Sequence, residues 1–211
     1  SLRYCRGRIQ PYQQQVINQT MEQFNPFTLV GKQILVTGAS SGIGKAIAVA
    51  CAKMGATVIV TGRNVERLNE TLNLMSEGDH KAISADLTKA EDIESLVAEL
   101  PKLDGLVQCA GVGSRVPCKN IGKEDLQHVF MPNVEAPILF QTAILSKRKI
   151  NKAASIVYVA SRAANAPSVG NAAYSASKGA IISYAKCLAL ELAPRLIRVN
   201  CICPGLSLIH I

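Results

Sequence analysis

The sequence predicts a doubly wound α/β domain, a parallel sheet covered by helices on both faces. Three observations predict it. Six apolar runs of strand length, each bounded by polar residues, follow one another from Gly31 onward. Segments of helix length lie between them, and the connections are short, which is the pattern of repeated βα units. With 211 residues the chain can bury one sizeable core, and two would be too many for that length.

The strands are expected at residues 33–37, 57–61, 81–85, 103–109, 153–160 and 196–203. The helices are expected at 42–54, 64–75, 89–100, 123–146 and 174–193. Thr88 followed by Glu91 predicts a capping box for the third helix, whose Ile93, Leu96, Val97 and Leu100 share one face. Pro194 has no N–H to continue a helical ladder and closes the last helix. The domain is expected to span residues 21–205. Residues 1–20 are rich in Gln, free of acids and without period; they read as a translated leader or a disordered segment ahead of Met21. Residues 206–211 resemble the translation of a transposase-library adaptor, so the sheet is expected to lack its C-terminal strand and this chain to be inactive.

Hydrophobic residues make up 48% of the chain and charged residues 18%, which fits a folded domain rather than a disordered one. No run is long and apolar enough to span a bilayer, and no signal-peptide core is present. The seven Cys (5, 51, 109, 118, 187, 201 and 203) form no CxxC pair and no zinc-like spacing, which predicts reduced thiols, no metal and a cytoplasmic protein. The net charge of +8 is uneven. Ten of the fifteen acids fall between Glu66 and Asp104, whereas Lys147, Arg148, Lys149 and Lys152 cluster at an expected helix end. That cluster reads as a solvated turn, with neither nucleic acid nor membrane as a partner.

Two motifs carry chemistry. Thr37, Gly38, Ala39, Ser40, Ser41, Gly42, Ile43 and Gly44 form a glycine-rich turn between a strand and a helix. Such a turn lets backbone amides approach a pyrophosphate at the positive end of the helix. Tyr174 and Lys178 stand four residues apart, on one helical face, so an ammonium can lie near a phenol. Ser161 ends the fifth strand thirteen residues before Tyr174, where doubly wound folds build their sites, and Asn133 lies at the head of the preceding long helix.

Taken together, the TGxxxGxG turn and the series Asn133, Ser161, Tyr174 and Lys178 resemble the short-chain dehydrogenase/reductase family. The resemblance continues through Asp86 and Leu87, through Cys109, Ala110 and Gly111, and to Pro204 and Gly205, covering residues 31–205. It is nearest to 3-oxoacyl-carrier-protein reductases and related carbonyl reductases. Val112 to Leu126, however, lacks the Thr-Arg-Asp pattern of the housekeeping reductase.

What the resemblance implies is a Rossmann fold and hydride exchange between a nicotinamide dinucleotide and a carbonyl/alcohol substrate. Tyr174 would be the general acid/base, its ionisation eased by Lys178. Ser161 would hold the substrate oxygen. Lys178 would also grip the nicotinamide ribose, and Asn133 would hold a water linking Lys178 to solvent. The glycine turn (Thr37, Gly38, Ser40, Ser41, Gly42, Ile43, Gly44) would bind the dinucleotide with Ala110, Gly111, Tyr174, Lys178, Pro204 and Gly205. Asp86 would take the adenine amino group while Leu87 packs on the ring. Members using NAD place an acid at the end of the second strand; here Gly62 stands there and Arg63 follows, which suits the 2′-phosphate of NADP. The full-length protein is expected to be a homodimer or homotetramer acting on a small molecule.

Where the family usually has Asn-Asn-Ala-Gly, this chain has Gln108-Cys109-Ala110-Gly111, which puts the bracing of the central sheet in doubt. A non-catalytic dinucleotide-binding relative is the alternative, though such a protein would have lost members of the tetrad. An epimerase or dehydratase would carry TGxxGxxG, which is absent.

Overall fold

Each of the first two strands places apolar residues on both of its faces, and this is what layers the molecule. In the computed structural model, which describes residues 25–205, β1 (Gln33–Thr37) sends Ile34 and Val36 to one side and Leu35 to the other. β2 (Thr57–Gly62) does the same with Val58 and Val60 against Ile59. Strands so built must be covered twice, and parallel strands joined by helical crossovers are the way to do it.

α1 (Gly42–Lys53) and α2 (Val65–Asn73) cover one face, through Ala48, Ala52 and Leu68. α3 (Ala90–Glu99) covers the other, through Ile93, Leu96 and Val97. Beyond β3 (Lys81–Ser84) and β4 (Leu103–Gln108), that second face is also packed by α5 (Ala136–Ser146) through Phe140 and Ile144. β5 (Ile150–Val159), α6 (Ala172–Leu192) and β6 (Arg198–Ile202) complete the described chain, α6 adding Ile181, Ala185 and Leu188 to the same core.

All five strand pairings are parallel, in the order β3-β2-β1-β4-β5-β6. The direction of winding reverses between β1 and β4, so their connections leave in opposite directions and open a crevice at the C-terminal edge of the sheet. The doubly wound class is therefore as expected.

Several local expectations are corrected. The capping box at Thr88 does not form: Lys89 occupies the N-cap, and the Thr88 hydroxyl donates instead to Asp86 Oδ1 at 2.8 Å. The long helix at 123–146 is broken. α4 (Lys123–Phe130) runs into a π-helical segment, Met131–Glu135, before α5 begins. Pro132 lies within that segment and Pro137 just beyond it, and neither can donate to an i−4 carbonyl, so the wider turn costs little there. β5 starts three residues early, and its pairing with β4 is irregular where Ala153 adopts φ 59°. Lys149 is more than a solvated charge: its Nζ donates to the carbonyls of Leu100 (2.6 Å) and Ala98 (3.1 Å), closing the C-terminus of α3. No helix among the described residues is long and apolar enough to cross a membrane. The leader expected at residues 1–20 and the adaptor-like residues 206–211 lie outside the described residues.

Candidate active site

The crevice at the C-terminal edge of the sheet is a cleft of about 820 Å³. One wall is the glycine-rich turn. Gly38 (φ 65°) and Gly42 (φ 53°) hold backbone conformations that residues with side chains rarely adopt. At Gly38 a Cβ would also lie 2.7 Å from the Ala110 Cα, so the turn after β1 and the loop after β4 touch main chain to main chain. Thr37 makes that contact durable. Its hydroxyl oxygen accepts from the N–H of Cys109 (3.0 Å) and of Ala110 (3.1 Å), and the residue is wholly buried. Thr37 therefore does not line the cleft as expected; it clamps the two walls that do.

At the head of α1, Ser41 is the N-cap but its side chain makes no capping hydrogen bond. The first amides of the helix are thus left facing the cleft beside Ser40, Gly42, Ile43 and Gly44. An anion such as a pyrophosphate fits that opening, because the donors and the helix dipole point the same way. Further along this wall come Gly62, Arg63, Asp86 and Leu87, all at the cleft as expected. Partial burial pushes the Asp86 carboxyl upward, but hydrogen bonds from Thr88 and the charges of Arg63 and Lys89 outweigh it and hold the group below its ordinary range.

The opposite wall carries Ser161, Tyr174 and Lys178, with Ala110, Gly111, Pro204 and Gly205. Ser161 ends β5 and caps a 3₁₀ turn (Arg162–Ala164): its Oγ accepts from the N–H of Ala163 at 3.1 Å, which leaves the hydroxyl proton free to donate. Lys178 Nζ lies 5.9 Å from the Tyr174 ring centroid and donates to the Val159 carbonyl at 2.9 Å. The lysine is only 7% exposed. Burial pushes its ammonium below the usual lysine value, while the nearby thiols of Cys109, Cys201 and Cys203 pull the other way. Each of the six cysteines among the described residues is a free thiol.

Asn133 departs from expectation. It sits in the middle of a broken helix, in the π segment, and does not line the cleft. Its Oδ1 accepts from the Val112 N–H (2.8 Å), while its Nδ2 donates to the Val112 carbonyl (2.9 Å) and to Ser177 Oγ (3.1 Å). Both donors of the amide are committed inside the protein, so Asn133 fastens the loop after β4 to α6. Next to it, a Cβ on Gly111 would fall 2.9 Å from Asn133 Oδ1 and 3.4 Å from Lys178 Nζ, which is why glycine stands there.

The doubt over Gln108 is also resolved. Its Nε2 donates to the Pro137 carbonyl at 3.2 Å, tying β4 to the start of α5. A longer amide spans the gap from strand to helix, so the central sheet is braced after all.

Sequence reasoning missed several lining residues: Asn64, Arg67, Gln127, His128, Met131 and Pro132. Arg67 lies in the first turn of α2, while Arg63 precedes that helix, so helical spacing does not link them. Asn64 is the N-cap of α2, whereas Gln127, His128, Met131 and Pro132 are brought to the cleft by the docking of α4 and the π segment, for which no local signal exists.

The model of the family described as short chain dehydrogenase matches residues 32–208. The chain is 34% identical over 177 residues to a 3-oxoacyl-[acyl-carrier-protein] reductase of Rickettsia felis, covering 84% of this chain and 73% of that protein. It is 38% identical over 183 residues to a glucose 1-dehydrogenase of Gluconobacter oxydans, with 83% and 69% covered. Among solved structures, a short chain dehydrogenase from Escherichia coli CFT073 complexed with NADPH superposes with a TM-score of 0.78 at 34% identity, covering 86% of this chain and 80% of that one. The match of family model, relatives and fold over residues that build one continuous cleft places this chain in the short-chain dehydrogenase family of oxidoreductases.

Proposed function

We propose that this site exchanges hydride between NADP(H) and a carbonyl/alcohol substrate, with Tyr174 as the general acid/base. The observation that carries the reading is the meeting of Ser161, Tyr174 and Lys178 on one wall of a cleft whose other wall has an uncapped helix N-terminus and arginines. When bound, the nicotinamide supplies or takes up the hydride. The rest belongs to the chain.

In the reducing direction, the Tyr174 phenol gives its proton to the oxygen on which negative charge develops. The free hydroxyl proton of Ser161 donates a hydrogen bond to that same oxygen, a preorganised donor aimed at developing charge. Lys178 stands where its charge stabilises the phenolate left behind, and its remaining N–H groups are free for a ribose hydroxyl. Asn133 is a positioning residue that holds the Val112 loop against α6. The uncapped amides of α1 would hold the pyrophosphate, and Arg63 the 2′-phosphate. The relatives named above act on different substrates, so the proposal stops at the carbonyl/alcohol class. A homodimer or homotetramer is proposed for the complete protein.

The test is Tyr174→Phe. NADPH oxidation against a panel of ketones, aldehydes and β-keto thioesters should fall by about 10²- to 10⁴-fold, the usual span for removing a general acid. NADPH affinity, followed by its fluorescence, should change less than about twofold, a fraction of the 1.4 kcal/mol that a tenfold change represents. Unchanged turnover would refute the assignment.

A further inference from the structure

Ser177 stands between Tyr174 and Lys178 in the sequence of α6, but it is wholly buried and does not line the cleft. A hydroxyl so placed needs partners, and it has one in each direction. Its Oγ donates to the Tyr174 carbonyl at 2.7 Å and accepts from Asn133 Nδ2 at 3.1 Å. Asn133 is held in turn by the N–H (2.8 Å) and the carbonyl (2.9 Å) of Val112. An unbroken series of hydrogen bonds therefore runs from the loop after β4, through the π segment, to the backbone of Tyr174.

The carbonyl at which the series ends is the one that matters. In an α-helix the carbonyl of residue i accepts from the N–H four residues on, so the Tyr174 carbonyl closes the turn that joins Tyr174 to Lys178. A serine hydroxyl bonded back to the preceding turn tilts the carbonyl it takes and bends the helix locally. Anchoring that hydroxyl on Asn133 thus anchors the turn itself. The two side chains at its ends are fixed differently. Lys178 Nζ is tied to the Val159 carbonyl of β5 at 2.9 Å. The Tyr174 phenol has no hydrogen bond of its own among the described residues, so its place, with the ring centroid 5.9 Å from Nζ, is set by the backbone beneath it.

We infer that Ser177 is a positioning residue for the proposed reaction: it carries the anchor from Asn133 to the Tyr174 carbonyl and so holds the phenol in register with the Lys178 ammonium. This role rests on the proposed work of Tyr174 as general acid/base. Losing the hydroxyl lets the turn shift, which weakens the support that the ammonium gives to the phenolate while leaving the dinucleotide-binding wall untouched.

The experiment compares wild type, Ser177→Ala, Ser177→Cys, Ala185→Gly and Tyr174→Phe on the best carbonyl of the panel above and on its alcohol. Alanine favours helix and leaves both Val112 bonds of Asn133 in place, so the fold survives, and an NADPH Kd within about twofold of wild type reports this. Ser177→Ala should lower kcat about three- to tenfold with KM nearly unchanged, since it is orientation that is lost. In alcohol oxidation, which needs the phenolate, the pH of half-maximal kcat should rise by roughly half a unit. Ser177→Cys, a weak donor of similar size, should fall between wild type and alanine in both. Ala185→Gly loosens the buried face of α6 without touching the series, and should leave kcat and the pH midpoint as they are. If Tyr174→Phe turns over as fast as wild type, the general acid/base reading itself fails. If Tyr174→Phe is inactive but Ser177→Ala keeps the wild-type kcat and pH profile, or Ala185→Gly reproduces its changes, that reading stands and the role of Ser177 is refuted.

Discussion

At one end of the cleft Arg63 and Arg67 are exposed, and among the described residues neither side chain forms an ion pair. At the other end Lys178 lines the cleft and Asn133 does not; they are 7% and 2% exposed, and each is hydrogen-bonded to main chain from a different element. The first end acts by charge presented to solvent, which substitution removes cleanly. The second acts through polar groups that also hold the fold together, so function and stability cannot be altered separately there. Three substitutions test that contrast.

The largest effect is expected at Asn133→Ala. It strands the Val112 N–H and carbonyl and takes a donor from Ser177 Oγ. At about 1–3 kcal/mol for each buried group left unsatisfied, the loss should reach about 3–6 kcal/mol, against a usual total of about 5–15 kcal/mol. Chemical denaturation measures it. A variant as stable as the wild type would show that the loop after β4 does not depend on this amide.

Next is Thr37→Val, which keeps the volume but removes the acceptor for Cys109 and Ala110. A loss of about 2–4 kcal/mol is expected, together with weaker NADPH binding, because the walls of the cleft are no longer clamped. Thr37→Ser should restore most of both. If Thr37→Val weakened binding with no loss of stability, Thr37 would belong with the exposed arginines and the comparison would break.

The smallest effect is expected at Arg63→Ala, where stability should stay within about 0.5 kcal/mol of the wild type, as for surface substitutions that remove no structural contact. Thermal melting without dinucleotide decides it. A larger loss would mean that its attraction to Asp86 helps hold the ends of β2 and β3 together.

The two ends also differ in how far they could be read beforehand. The glycine turn was legible because its chemistry is local: a strand, the turn and the first turn of a helix suffice to present amides to an anion. Tyr174 and Lys178 were legible because helical spacing alone puts them on one face. Asn133 was placed at the head of a helix, since no residue near it in sequence says that its partners are Val112 and Ser177, the latter 44 positions away. Thr37 reads in the sequence as a ligand contact because it adjoins the glycines, while its partners lie 72 and 73 positions on. Arg67 carries no local signal, since a lone arginine on a helix is ordinary until Thr71 of that helix is seen bonded to the Ala39 carbonyl of the glycine turn.

The sequence by itself determined the parallel doubly wound sheet, the order of its elements and the residue types at the reacting centre. These follow from period, spacing and backbone freedom, which act over a few residues. Only the tertiary structure decided which polar side chains face the cleft and which are struts behind it. That choice depends on which buried donor finds which acceptor once the strands are in register, and partners of that kind are set by packing across the sheet, not by distance along the chain.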